Sequence, residues 1–490
     1  MSNPVGTGIL QLREEFPPVS TAEWEAVIQK DLKGASYEKK LVWHPEQGVS
    51  VQPYYRREAL QAIGEVVDLA PGDFPYTRGN GQCPEEAQDW IPPAGAVRAD
   101  YLHEAGATTV QELAFALAEG VEILAAILDD ERSLDANETV FVYAIGSNYF
   151  FEIAKLRAAR LLWSTAVAAF GDEGRKAGPV RIHARTARLN KSLFDPYTNL
   201  LRVTTEAASA MVAGCDSLTV ESFGFAPHLS ANVQRVLREE AYLTRVSDPA
   251  GGSYYVEALT DLLAKKAWQL FQEVEAAGGW SIALQSGLVE KALTQSREAQ
   301  AAAVSSRRRT LVGVNNYPDV LEKASSVQLA ARTVPPTPLP NDLFPQTRLA
   351  EPFEAIRRRT AAHARKTRRY PKILLLKRGN PKMKLARATF CLNFFGCAGF
   401  DLVEAEQYAN TDADLIVLCS SDAEYPPFAR EVCRATSVPV LVAGNPKEQF
   451  AELQLAGVQD FVHFASNAVE TLTHWQNRLG MDPFLEGVTP

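Results

Sequence analysis

Cysteine is scarce: the 490-residue chain holds six, at Cys83, Cys215, Cys391, Cys397, Cys419 and Cys433. A disulfide framework is excluded at that density, and no histidine stands at zinc-ligand spacing from the nearest pair, Cys391 and Cys397. Buried reduced thiols are the expectation, with no bound metal. Long apolar runs are missing too, so no membrane-spanning segment is expected. The opening MSNPVGTGILQLREEFP lacks the basic, apolar and small-residue order of a secretion signal. Cytoplasmic residence is the resulting expectation. An excess of positive charge is also lacking. Fifty basic against fifty-nine acidic residues give a net charge of -9, which argues against nucleic acid as a partner.

What the chain does have is apolar content, 46% of its residues, enough for two or three domains. Residues 1–50 read as a helical arm. In STAEWEAVIQKDLKG, Ser20 and Glu23 make a capping box ahead of helical apolar spacing. VSVQPYY reads as a strand. From Val97 strands and long helices alternate: AVRAD, a helix from Glu104 to Leu124, TVFVYAIG, a helix in IAKLRAARLLWSTAVAAF, VRIHARTA, the helix NLLRVTTEAASAMVAG and DSLTVESFG. That alternation predicts parallel sheet with its site at the carboxyl ends of the strands. Only four convincing strands follow Val97, short of a closed eight-stranded barrel.

A helix over 254–276 comes next, then a proline-rich and basic linker at 331–370, whose arginine run reads as a solvated helix, an acidic-partner surface or a phosphate site. The closing unit, 371–490, shows buried-strand signals at ILLL, ADLIVLCSS, VPVLVAG and DFVHFAS, with a fifth at FDLVEAE. It is expected to be small and doubly wound, with a helix from Ala386 to Phe395. The turn before that helix carries Pro381, Lys382, Met383 and Lys384.

Several segments together are specific. TRG at Thr77 to Gly79, EAGATTVQELAFALAEGVEIL, YAIGSNYFFEIAKLRAARLLW, DPYTN and RVSDPAGGSYYVEALT resemble the cobalamin-dependent methylmalonyl-CoA mutase family, over most of residues 20–315 and more weakly beyond. The resemblance implies an α/β fold: a (β/α)8 TIM-like barrel over 51–330, here partial or shortened, followed by a small doubly wound cobalamin-binding-like domain. It also implies radical interconversion of methylmalonyl-CoA and succinyl-CoA on adenosylcobalamin.

The departures fall where that chemistry is done. The family's cobalt-ligating loop, Asp-x-His-x-x-Gly, lines up through Gly379 with Pro381, Met383 and Ala386. The substrate-facing histidine of active members falls at Tyr101, with His103 two places on. Arg185 and Arg188 stand where Gln and Gly should meet the corrin, as uncompensated cations, and Phe225 replaces a glutamate. Several barrel strands are missing between Gln82 and Asp89. The pattern resembles the non-catalytic small subunit of heterodimeric mutases, with no catalytic residue and no cofactor expected on this chain. Adenosylcobalamin is then a partner's cofactor, and the partner a catalytic mutase subunit or a second copy. The alternatives are an active acyl-CoA mutase and a stand-alone acyl-CoA binding protein. Candidate acyl-CoA contacts are Tyr76, Thr77, Arg78, His103, Asn148 and His183; a structural role is the competing reading for Arg78, His103, Asn148 and His183, and for the Gly251 to Ser253 turn, which resembles a phosphate nest.

Overall fold

The computed structural model describes residues 18–45, 48–64, 68–79, 85–86, 90–129, 140–172, 178–322, 344, 346–409 and 412–482. The expectations about Cys83, about the stretch missing after Gln82 and about the prolines of the linker lie outside them. Two wholly parallel sheets organise the chain. Among the described residues no helix is long and apolar enough to cross a membrane.

The arm begins with α1 (Thr21–Asp31), whose capping box is formed as expected: Ser20 and Glu23 each bond the other's backbone N–H. No residue of α1 is buried. Its Trp24 stacks on Tyr54 at 4.7 Å.

The first sheet holds β1 (Glu85–Glu86), β2 (Val140–Ile145), β3 (Arg181–Thr186) and β4 (Ser217–Thr219) in the order β1-β4-β3-β2. Every residue of β2 is buried, which is why VFVYAI reads as a continuous rather than an alternating apolar run. Around the sheet run α2 (Ala99–Glu104), α3 (Thr109–Asp129), α4 (Tyr149–Ala169), α5 (Pro196–Val212), α6 (Tyr254–Ala276) and α7 (Leu288–Ser305). Together they close one large core around Phe115, Phe141, Phe151 and Trp163.

Some expectations need correction. AVRAD supplies only a one-residue bridge, Val97 to Phe141, because the chain turns into α2 immediately after it. The expected 104–124 helix is two helices. Gly106 breaks it with φ +94°, and a Cβ there would lie 2.9 Å from Arg297. VSVQPYY makes a single antiparallel bridge, Val51 to Trp43.

Helix α8 (Glu351–Thr367) leads to the second sheet. Its arginines are not a solvated run: Arg357, Arg358 and Arg359 are buried, and the exposed basic residues begin at Arg365. Arg357 reaches Glu322 at 3.2 Å, and Arg359 donates to the Asn477 side chain at 2.7 Å.

The second sheet comprises β5 (Lys372–Lys377), β6 (Asp401–Ala405), β7 (Leu415–Cys419), β8 (Val440–Ala443) and β9 (Asp460–Val462), ordered β6-β5-β7-β8-β9. Strand alternation sorts its side chains between two cores. Ile373, Leu375 and Val417 pack with α9 (Pro381–Gly396) and α11 (Ala468–Arg478), whereas Leu374, Leu376 and Leu418 pack with α10 (Tyr425–Ala435). Helices therefore cover both faces, and FDLVEAE is the edge strand β6. Helix α9 starts five residues earlier than expected. Pro381 sits in its first turn, where a missing N–H costs nothing, and Asn380 caps it, accepting from Lys382 and Met383 amides at 3.1 Å. Cys391, Cys397 and Cys419 are buried in this core, and burial pushes the Cys397 thiol up to about 12.

One core joins the two sheets: Leu189, Val304, Leu311 and Val314 pack with Phe353, Phe394 and Phe395. An ion pair fastens it. Both Arg348 guanidinium ends reach the Glu354 carboxylate, at 2.6 and 2.7 Å. Arg348 also donates to Lys191 O at 3.1 Å, and Glu354 accepts from Leu193 N at 2.8 Å. Arg348→Ala strands Glu354 without its cation, and breaking such a pair costs about 3–5 kcal/mol. The urea midpoint of the variant is expected to fall accordingly, with Arg348→Lys between it and the parent, since lysine keeps the charge but not the fork. An unchanged midpoint in the alanine variant contradicts the clamp.

Candidate functional site

At the carboxyl end of β2 the chain passes through Gly146, Ser147 and Asn148 into α4. Gly146 is a packing requirement: a Cβ there would lie 3.1 Å from the His103 ring and 3.2 Å from the Glu152 carboxylate. Behind it the second turn of α4 presents Lys155, which is fully buried. Its ammonium contacts both Glu112 oxygens, at 3.1 and 3.0 Å, Glu152 at 2.6 Å and Ala144 O at 2.6 Å. His103 Nδ1 lies 3.1 Å from Glu112. Two carboxylates and one ammonium leave room for one more positive charge. Burial opposes that charge on His103, but the adjoining Glu112 carboxylate outweighs it and raises the pKa.

His103 and Asn148 open together onto one cavity with Glu152, Asn190, Gln300 and Arg309. Its volume is about 60 Å³, room for a few waters and well below the ~300 Å³ at which small-molecule sites begin.

The inner face of β3 carries His183 and Arg185. Arg185 is met by Asp100 at 2.7 Å and Glu104 at 3.5 Å, and Arg188 by Glu221 at 2.9 Å. Arg98 holds the same Asp100 with two bonds of 2.8 Å and lies over the Tyr101 ring at 3.7 Å. The two arginines expected to stand as uncompensated cations are thus paired by α2 and by Glu221, two residues beyond β4. His183 is held as a neutral ring. Its Nδ1 lies 2.8 Å from Ser217 Oγ, Trp90 stacks on it at 3.7 Å, and burial lowers its pKa to about 3.

Tyr76, Thr77 and Arg78 form one turn at the opposite, amino-terminal side of the sheet, its flanks set by Pro75, whose O accepts from Ser164 Oγ, and by Gly79 beside Gly214. Arg78 is engaged by Asp248 at 2.9 Å and by Leu69 O at 2.6 Å. Arg157 shares that Asp248 and also reaches Glu257 at 2.6 Å. Glu257 in turn accepts from Gly252 N at 2.9 Å, so the glycine turn is satisfied by a carboxylate of its own chain. Thr77 is buried, its hydroxyl without a hydrogen-bond partner among the described residues. Tyr76 has φ +60° and donates its N–H to Asp73 O. The six candidates therefore occupy three separate places. Glu112, Glu152 and Lys155 escaped sequence reading, although a lysine flanked by apolar residues in FEIAKLRAA is the signal that could have found them.

The second sheet has a crevice of its own. In the order β6-β5-β7-β8-β9 the strand order reverses between β5 and β7, the usual ligand position in open parallel sheets. The loops there are Arg378 to Asn380 and Ser420 to Glu424. The Glu424 carboxylate lies between them, accepting from Asn380 N at 3.2 Å, Ser420 Oγ at 2.9 Å, Ser421 N at 3.3 Å and Ser421 Oγ. These bonds, that from the Ser421 hydroxyl foremost, hold its pKa down at about 2. On the next loop the Arg387 guanidinium covers Gly444, 3.2 Å from where a Cβ would stand.

A family model described as methylmalonyl-CoA mutase matches residues 94–335. The methylmalonyl-CoA mutase small subunit of Porphyromonas gingivalis is 31% identical over 618 aligned positions, covering 96% of this chain and 99% of that protein. That of Streptomyces virginiae is 35% identical, over 77% of this chain and 63% of its own length. The methylmalonyl-CoA mutase of Rhizobium meliloti is 42% identical over 44% of this chain and 32% of its own. The 618 aligned positions exceed the 490 residues of the chain, so the Porphyromonas protein carries stretches with no counterpart here.

The two buried histidines should titrate in opposite senses. Native His183 takes a proton only near pH 3, whereas the unfolded chain takes it near 6.5. Its linkage therefore leaves stability intact above 6.5 and lowers it as pH falls from 6.5 toward 3. His103, with its pKa raised, contributes stability below 6.5 that is lost as pH rises through its elevated value. In histidine-labelled protein followed by NMR, the His183 ring is expected to be neutral at pH 5 and the His103 ring charged at pH 6.5. A charged His183 at pH 5 contradicts the stacked, neutral assignment.

Proposed function

Because the chain belongs to the methylmalonyl-CoA mutase family, we propose that it is a non-catalytic small subunit supporting a catalytic mutase subunit. Two of the relatives above are small subunits, and one of them matches along nearly its whole length. The observation that carries the reading is the crevice between β5 and β7. Aligned through Gly379, the three family positions fall on Pro381, Met383 and Ala386, all of them within α9.

Cobalamin is the group that the family implies, and the residues present do not fit it. No histidine lies between Lys377 and Gly396 to approach cobalt. Pro381 cannot orient an imidazole, a role that second-shell partners ordinarily fill. The space over Gly379 is taken by Glu424 and that over Gly444 by Arg387. No step through the cofactor is therefore assigned to this chain.

The barrel supports the same reading. Among the described residues the first sheet has four strands, one of them bridged by Val97, in keeping with a shortened barrel that leaves sheet edges for a partner to cover. Arg185 and Arg188 are bound to carboxylates of the chain, and the cavity beside His103 is too small for an acyl-CoA. In this reading 1–50 is an arm, 51–330 the mutase-like barrel, 331–370 a linker and 371–490 a degenerate cobalamin-binding domain. Adenosylcobalamin and the acyl-CoA belong to the catalytic partner.

Co-expression with the catalytic subunit of a two-subunit mutase, followed by gel filtration, tests this. A stable complex is expected, together with no conversion of methylmalonyl-CoA by the isolated chain given adenosylcobalamin. Turnover near about one per second, the low end of ordinary enzyme rates, from the isolated chain makes it an active mutase instead.

A further inference from the structure

Strand alternation gives the first sheet two faces. Phe141, Tyr143, Ile182 and Leu218 belong to the large core that the sheet shares with its helices. On the other face the register sets Val142 beside His183, Ala144 beside Arg185, and Ser217 on the far side of His183. In a closed barrel that face is the interior, filled by side chains of the strands around it. Among the described residues the sheet stops at four strands, yet Val142 is 1% exposed, Ala144 0% and His183 3%.

The chain supplies the cover from the residues around Val97. Val97 is fixed to β2, its N–H donating to Val140 O at 2.9 Å and its O accepting from Val142 N at 2.8 Å. After it, Asp100 meets Arg185, and Arg98, which holds Asp100, lies over Tyr101. Before it, the Trp90 indole lies flat on the His183 ring, with 3.7 Å between centroids and 8° between planes. Trp90 does not belong to the apolar core around Phe115 and Trp163. It stays half-buried, and the ring it covers is a polar one already tied to Ser217 Oγ. Stacking of this kind holds a flat ring by its face and leaves its edge free of obligatory partners.

We propose that Trp90 is a built-in plug: its indole fills a slot over His183, on the inner face of the first sheet, that suits a planar aromatic ring, and so closes that face from within the chain. Vacated by Trp90, the slot takes such a ring from solution.

The experiment is modification of His183 by diethyl pyrocarbonate, read by peptide mass spectrometry on the full chain and on Trp90→Ala, each with and without indole. In the parent, His183 is expected to react slowly and indole to change nothing. In the alanine variant it is expected to react several-fold faster. Indole should slow that reaction saturably and raise the melting temperature, because a ligand bound only by the native state adds to its stability with concentration. Cyclohexanol, similar in size but not planar, is expected to do neither. His103, buried elsewhere, should react alike in both proteins. Modification of His183 as slow as in the parent, an equal rise at His103, no effect of indole, or cyclohexanol as effective as indole each overturns the inference. Should the alanine variant fail to fold, Trp90→Leu decides. Modification of His183 at the parent's rate, or faster modification that indole leaves unchanged, overturns the inference; faster modification that indole slows supports it. Neither assembly with a catalytic subunit nor turnover enters this measurement, so its outcome is separable from the subunit reading.

Discussion

A charge taken out of water must be met by an opposite charge or by several hydrogen bonds, because an uncompensated one costs several kcal/mol. In this chain that requirement is met from within. Lys155 is held by Glu112 and Glu152, Arg157 by Asp248 and Glu257, Arg185 by Asp100 and Glu104, and Arg348 by Glu354. Several of these pairs join elements far apart in sequence. Asp100 and Arg185 are 85 residues apart, and Arg157 and Asp248 are 91 apart. The first sheet keeps its helices, and the second keeps its seat on the first, through them.

The same internal compensation decides what the surface of the molecule offers to a ligand. Gly252 N, in a glycine turn suited to a phosphate, is bonded to Glu257, and Asn380 N, at the head of α9, to Glu424. Arg185 and Arg188, on and after β3, are bound to carboxylates of α2 and of Glu221, two residues beyond β4. Those two amides, and the Arg185 and Arg188 guanidinium groups, are therefore engaged within the chain.

Local signals made much of this architecture legible in the sequence. The capping box of α1, the amphipathic stretch over 254–276 and the apolar strands LIVLC and VLVA each state their structure within a few neighbouring residues. What escaped depends on distant partners or on a misleading residue. Pro381 suggested a loop, but proline in a first helical turn is compatible with the helix. The arginines of α8 looked solvated because their partners, Glu322 and Asn477, lie far away in the chain. Arg185 and Arg188 looked incompatible with a packed interior because nothing in RIHARTARLN shows that Asp100, Glu104 and Glu221 fold against them. Of the candidate residues, His103 and Asn148 do share a cavity, and the carboxylate and ammonium behind them were hidden inside apolar helices.

In the proposed non-catalytic subunit, contacts within the chain stand where the family's ligands would bind. Equilibrium titration of the purified full chain with adenosylcobalamin, followed by the visible corrin spectrum and by calorimetry, tests it most directly. In the proposed subunit reading no saturable binding is expected up to the micromolar range, because the Glu424 carboxylate lies over Gly379, the Arg387 guanidinium lies over Gly444 and no histidine lies between Lys377 and Gly396 to meet cobalt. Saturation at micromolar cofactor, with a spectrum showing a nitrogen ligand supplied by the protein, would contradict the account.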